Sequence, residues 1–297
     1  MAENETDPRP APGTARNQAP GGVRSGLGPY LRAEAVPGAH VSILPGHAPH
    51  SGRNRPKSRV DDGSADGTAA VLERSFGGGI TVVRTDNRGP AAARNLGVAC
   101  SRGTLIAFLD SDDFWLPGKL AAQVAFFAEN PAAAICQTEE VWIRNGHRVN
   151  PCARHRKPHG DIFDRSVRLC LVSPSAVMMR RDLFERTGGF DPSLPACEDY
   201  DLWLRVAVDT PVWLIDRPLV VRRGGHADQL SRRYWGMDRF RVASLLRLLA
   251  GPDLAPPRRE LIRAVVAEKC AILAAGAARR GRHDEADRYR ALAGVSP

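Results

Sequence analysis

Phe108-Leu109-Asp110-Ser111-Asp112-Asp113 places three carboxylates directly behind an apolar run. Acidic side chains crowded at the end of a buried segment repel one another unless a cation lies among them. A D-x-D of this kind suits Mg²⁺ or Mn²⁺, hard cations that take oxygen ligands and complete their shell with phosphate oxygens. A second acidic group, Val60-Asp61-Asp62-Gly63-Ser64, sits in a glycine-permissive turn, where carboxylates can accept hydrogen bonds from a nucleobase or ribose. A third, Cys197-Glu198-Asp199-Tyr200-Asp201, opens a helical stretch, where acids also complement the helix dipole. Asp86 to Asn95 reads as a turn leading into a helix whose first amides and Arg94 could face an anion. In Arg222 to Ser231, His226 stands in a glycine-containing loop and could ligate a metal or meet a phosphate.

Each group has a plainer reading. Asp and Gly are what turns require, acids favour helix starts, and a lone histidine usually does neither task. Asp62, Ser64, Asp66, Gly67 and Glu73 also match positions 1, 3, 5, 6 and 12 of a calcium loop. Arg53 to Arg59, with Pro56 among them, cannot supply the entering helix that such a loop needs. A D-x-D behind an apolar strand also occurs in phosphohydrolases of the haloacid dehalogenase type, but those need Thr or Val shortly after the second acid. Here Asp113 and Phe114 follow.

The elements that must hold these groups follow from periodicity. Helices are expected at Ala69 to Phe76, Pro90 to Cys100, Leu116 to Glu129 and Cys197 to Val208. Strands are expected at Ile80 to Arg84, Thr104 to Leu109, Ala133 to Trp142 and within Val212 to Arg222. His40 to Leu44 can form one more strand. Gly236 to Leu249, Glu260 to Ala278 and His283 to Leu292 read as closing helices. This alternation argues for a mainly parallel sheet covered by helices. Trp203 reads as a core residue rather than a sugar-stacking platform.

Composition sets the outer bounds. The 297 residues are 43% hydrophobic and 25% charged, an ordinary globular balance. No apolar run is long enough to span a bilayer, and residues 1–20 contain no apolar stretch that could serve as a signal peptide. A cytoplasmic protein is expected. Six cysteines without a C-x-x-C pair read as buried free thiols. The net charge of +9 comes mainly from arginine spread along the chain. Without a nucleic-acid-binding pattern, that charge suits anionic nucleotide sugars or peripheral contact with an anionic membrane surface, and no nucleic acid is expected as a partner. Nine prolines before Asp61 make residues 1–39 read as disordered.

Taken in order, V-D-D-G-S, N-x-G-x-x-x-A-R-N, F-L-D-S-D-D, G-G-F-D with E-D-Y-D-L-W-L-R, and the late histidine loop resemble the family 2 glycosyltransferases of GT-A fold. The resemblance covers about 170 residues, and ordered co-occurrence is more specific than any one motif. It implies an α/β, Rossmann-like GT-A domain over 40–232 with a helical extension over 233–297. It implies an inverting transfer from a nucleotide-sugar donor to a glycan, lipid-linked or other hydroxyl acceptor, as in polysaccharide biosynthesis. Asp61 and Asp62 would contact base and ribose, with Arg94 supporting that pocket. Asp110 and Asp112 would hold a divalent metal, Mg²⁺ or Mn²⁺, on the diphosphate, with His226 completing that site. Asp199 would be the general base, with Glu198 beside it.

The chain departs from the family pattern between Pro45 and Val60, where a loop, a helix and an apolar strand are expected. Gly46 to Arg59 is rich in His, Arg and Pro instead. A deletion or frame change there would leave exposed sheet surface and a transferase relic of weak activity. Arg53 to Arg59 is not expected to form a central strand along its length.

Overall fold

The computed structural model describes residues 40–43, 57–76, 80–150, 152–225, 233–251 and 254–294. The expected disorder of 1–39, most of the 46–59 departure, and His226 with the rest of its loop to Ser231 lie outside the described residues.

Two sheets carry the acidic turns. The first is three-stranded, in the order β1 (His40–Ile43), β2 (Lys57–Asp62), β3 (Ile80–Thr85). β2 and β3 are parallel, joined through helix α1 (Thr68–Phe76). β1 runs antiparallel to β2, with His40 opposite Asp61.

β2 begins at Lys57, so Lys57, Ser58 and Arg59 are residues of a central strand, while the rest of Arg53 to Arg59 lies outside the described residues. The rule that such strands are wholly apolar starts to apply only at Val60, which is fully buried, whereas Arg59 is half-buried. β2, not a helix, leads into Asp62, which removes the calcium-loop reading.

The second sheet contains β4 (Leu105–Ala107), β5 (Phe114–Trp115), β6 (Ile135–Arg144), β7 (His147–Val149), β8 (Val177–Arg180) and β9 (Trp213–Gly224). Its order is β4-β8-β6-β9-β5, with β7 on β6. Of its ladders only β6 with β9 is parallel. The expected α/β architecture is therefore present, but among the described strands the pairing is mixed rather than mainly parallel. One cause is local: Asn145 and Gly146, both at positive φ, form the two-residue turn that folds β7 back on β6.

The remaining helices are α2 (Pro90–Ala99), α3 (Lys119–Glu129), α4 (Phe163–Arg168), α5 (Arg181–Arg186), α6 (Glu198–Val206), α7 (Asp238–Ala250), α8 (Pro256–Arg279) and α9 (His283–Ala293). α2 starts with Pro90 in the first turn, where the missing N–H costs nothing. A single apolar core joins Val60, Phe108, Phe163 and Trp203 to Leu245, Ile262 and Val266. The closing helices thus share the core of the sheet domain. Trp203 is 2% exposed and belongs to that core, as expected. Burying a side chain such as Leu202 contributes roughly 1.5–3 kcal/mol.

The free thiols of Cys136, Cys197 and Cys270 are buried, whereas Cys100 and Cys152 are exposed, contrary to expectation. No helix among the described residues is long and apolar enough to cross a membrane.

Candidate active site

The turn after β2 is built around Asp61. Its Oδ1 accepts the Ser64 amide at 2.9 Å. Its Oδ2 is sealed from solvent and makes no hydrogen bond, with Arg84 Nε 3.7 Å away. An unsatisfied buried acceptor is costly, and the base or ribose of a nucleotide would supply its donor.

Asp62 is committed differently. Its two oxygens accept the backbone amides of Arg88 and Gly89, each at 2.8 Å. An internal carboxylate therefore occupies the approach to α2, where an external anion was expected. Gly63, directly after the acidic pair, adopts φ +75°, and a Cβ there would stand 2.7 Å from the Asn87 amide nitrogen. Only glycine allows these two turns to approach so closely.

Arg94, on the buried face of α2, reaches across the site. Nη1 donates to Glu198 Oε1 at 2.6 Å, and Nη2 donates to Asp110 Oδ1 at 2.7 Å. Burial opposes a guanidinium charge, but Asp110 and Glu198 hold its pKa above the ordinary arginine value. Burial raises the pKa of Glu198, against the pull of Arg94. Next to Arg94, Asn95 exchanges two hydrogen bonds with the backbone of Phe190, at 2.7 and 3.0 Å. This locks the Gly188-Gly189-Phe190 loop onto α2. The N-x-G-x-x-x-A-R-N and G-G-F-D segments are thus two sides of one contact.

Asp110 lies three residues beyond β4, with its amide donating to Ser175 Oγ at 3.1 Å. Asp113 is buried and accepts the Arg223 amide at 3.0 Å. Burial pushes its carboxyl well above the usual range, and Asp112 and Asp110 push the same way. The three acids of the D-x-D turn are therefore within electrostatic reach of one another. Such an all-oxygen donor set fits a hard divalent cation. Among the described residues no three donors converge into a closed metal site, so Asp110 and Asp112 would need ligand oxygens to complete a shell.

Asp199 stands in the first turn of α6, half-buried. Its Oδ1 accepts the Tyr200 amide at 2.7 Å, and its Oδ2 accepts the Cys170 thiol at 3.5 Å. Burial raises the Cys170 pKa, and the Asp199 charge adds to the rise, so the sulfur stays a proton donor to Asp199.

Sequence reasoning missed Cys170, Ser175 and Arg222. Arg222 lies in the segment singled out for His226, but attention there went to the histidine. Its guanidinium feels Glu140, Asp113 and Asp199, which raise its pKa although burial would lower it.

Residues 59–188 match the family model described as "Glycosyl transferase family 2". The succinoglycan biosynthesis protein ExoU of Rhizobium meliloti is 35% identical over 161 residues, covering 49% of this chain and 46% of that protein. An uncharacterized protein of Mycobacterium tuberculosis, MT1568, is 30% identical over 209 residues, 63% of this chain and 65% of its own length. The chain thus spans about half to two thirds of these relatives. Among solved structures, Staphylococcus aureus TarS 1–349 in complex with UDP-GlcNAc superposes with a TM-score of 0.53 at 15% identity, covering 79% of this chain and 80% of that one. That likeness is one of fold, and the chain has the GT-A architecture with added C-terminal helices. The matched segment runs from the strand before Asp61 through the D-x-D turn to Gly188, and over that segment the chain is identified with glycosyl transferase family 2.

Proposed function

We propose that this protein transfers a sugar from a nucleoside-diphosphate sugar to an acceptor hydroxyl, inverting the anomeric centre. One observation carries the reading: a single guanidinium, Arg94, holds the D-x-D acid Asp110 and the E-D acid Glu198 at once. The acid suited to a diphosphate and the acid beside the proposed base are thus tied to one side chain. Asp61 Oδ2 receives a donor hydrogen from the nucleoside. Asp199, steadied by Cys170, takes the proton of the attacking hydroxyl. Glu198, tied to Arg94, keeps the first turn of α6 in place. Asp110 and Asp112 would hold Mg²⁺ or Mn²⁺, which offsets charge on the departing diphosphate when bound.

The donor class agrees with the UDP-GlcNAc carried by the TarS structure. The name of the Rhizobium relative supports polysaccharide assembly, with a glycan, lipid-linked or other hydroxyl acceptor. In this reading 40–232 carry the transfer and 233–297 extend it. The protein works in the cytoplasm, its charge of +9 favouring contact with anionic lipids.

A second reading, a relic that binds donor without turnover, draws on the antiparallel β1 beside Asp61. One experiment separates the two. UDP-, GDP- and dTDP-sugars are screened by thermal shift with and without Mn²⁺, and the best donor is then assayed for transfer. Stabilisation with transfer supports the enzyme, stabilisation without transfer supports the relic, and neither overturns both.

A further inference from the structure

A cleft walled by Glu139, Trp142, Ala153, His155 and Arg156 is used by no step above. Its floor is a buried polar chain. Lys157 and Glu140, with side chains 5% and 3% exposed, form an ion pair at 3.2 Å. Lys157 also donates to Gln137 and Ser173, and Ser173 donates to Glu140. The other Glu140 oxygen accepts the Trp142 indole N–H at 3.0 Å. The indole is thereby fixed at its edge, with His155 against it at 5.5 Å between ring centres.

Above the indole lies Arg222, its Cζ 5.3 Å from the ring centre. The two residues are register partners in the parallel β6–β9 ladder. Arg222 keeps solvent-accessible surface and makes no ion pair with another described residue, although Glu140, Asp113 and Asp199 lie within electrostatic reach. A guanidinium stacked on an aromatic face keeps its N–H fork free for a carboxylate or phosphate. Within the cleft wall Glu140 is paired with Lys157, which leaves Glu139 and Arg156 as the remaining charged groups, and burial raises the Glu139 pKa. Nearby arginines and burial lower the His155 pKa, so the ring stays a neutral polar wall. Arg222 is also within electrostatic reach of Asp199, which links this side of β9 to the proposed base.

We infer that this cleft is an acceptor subsite for a sugar carrying an anionic group, a carboxylate or a phosphate, with Arg222 over Trp142 as its anchor. The inference rests on the transferase reading for the word acceptor, but the binding it describes can be measured alone. Arg222 takes the anion through two parallel N–H bonds, and Trp142 with its Glu140–Lys157 footing holds the guanidinium in place.

The test measures calorimetric binding of three disaccharides: one ending in glucuronate, one ending in a sugar phosphate, and the matched neutral one. Wild-type protein should bind at least one anionic probe about tenfold more tightly than the neutral one, with the preference shrinking at high salt. Which probe binds better separates the carboxylate from the phosphate. Arg222→Gln should erase the preference, and Arg222→Lys should keep part of it. Trp142→Phe should weaken it while leaving thermal stabilisation by nucleotide sugar in place. Equal affinity for all three probes, undiminished preference in Arg222→Gln, or no binding of any probe at millimolar concentration would overturn the inference. Anionic preference without nucleotide-sugar binding leaves this inference standing and removes the transferase reading. Nucleotide-sugar transfer with no anionic preference does the reverse.

Discussion

Arg94 on α2 donates to Asp110 at 2.7 Å and to Glu198 at 2.6 Å, so one buried guanidinium joins two acidic motifs that are 88 residues apart in sequence (198 − 110). Removing it would leave two carboxylates facing a site with little water. Breaking a buried pair from one side costs about 3–5 kcal/mol because a charge is left uncompensated. Arg94→Met should lose stability of that order in urea denaturation, and adding Glu198→Gln should restore part of it. Additive losses in the double variant would show that Arg94 does not couple the motifs.

Asp199→Asn keeps the shape of the α6 first turn but removes the proton acceptor. Transfer should fall by roughly 10²–10⁴-fold while donor affinity changes little. Near-normal turnover in steady-state assays would reduce Asp199 to a helix-start residue.

Asp112→Ala should weaken donor binding, and excess EDTA should abolish transfer, if a divalent ion held by the D-x-D turn offsets the charge of the diphosphate. Full activity in EDTA would remove the divalent ion from the scheme.

The Glu140 footing makes a pH prediction. Although burial alone would raise its pKa, Lys157, Arg222 and the Ser173 and Trp142 hydrogen bonds bring it down to about 2, from 4.5. A depressed carboxylate pKa adds stability that is fully present above about 4.5 and is lost as pH falls through about 2. Glu140→Gln should therefore be less stable than wild type at pH 7, by on the order of 3 kcal/mol. The difference should close between about pH 4.5 and 2 in denaturant titrations. A gap independent of pH would show that the ion pair does not set it.

Amide exchange tests the strand that the sequence argued against. β2 is flanked by β1 and β3, so amides from Lys57 to Asp62 that enter those ladders should be protected. Free exchange at those amides would return the segment to the damaged state that its composition suggested.

The acidic groups and most helices were legible because each is a local signal. Apolar residues before Asp110 required a buried strand, and Pro90 with the alanines after it required a helix. Strand direction was not legible, because it depends on what connects two strands and not on the strands themselves. The Asn145-Gly146 hairpin could have been read, since that pair is a strong turn signal, and it would have flagged antiparallel pairing early. Cys170 and Arg222 carry no spacing code. Their importance arises only when α6 and β9 bring Asp199 beside both. Asp62 was assigned to ligand because its type suited one, yet the same chemistry lets it serve the backbone of Arg88 and Gly89.

The double pairing of Arg94 also bears on how the chain is made. Glu198 follows Arg94 by 104 residues, an interval on the order of ten seconds of synthesis at typical elongation rates. Until that interval ends the nascent chain holds Arg94 and Asp110 but not the second acid, and the sheet lacks β9. The first half of the domain must therefore wait with an incomplete core, and this is when a ribosome-bound chaperone has most to cover. Slowing translation just before codon 198 should lower soluble yield, whereas the same pause after codon 224 should not.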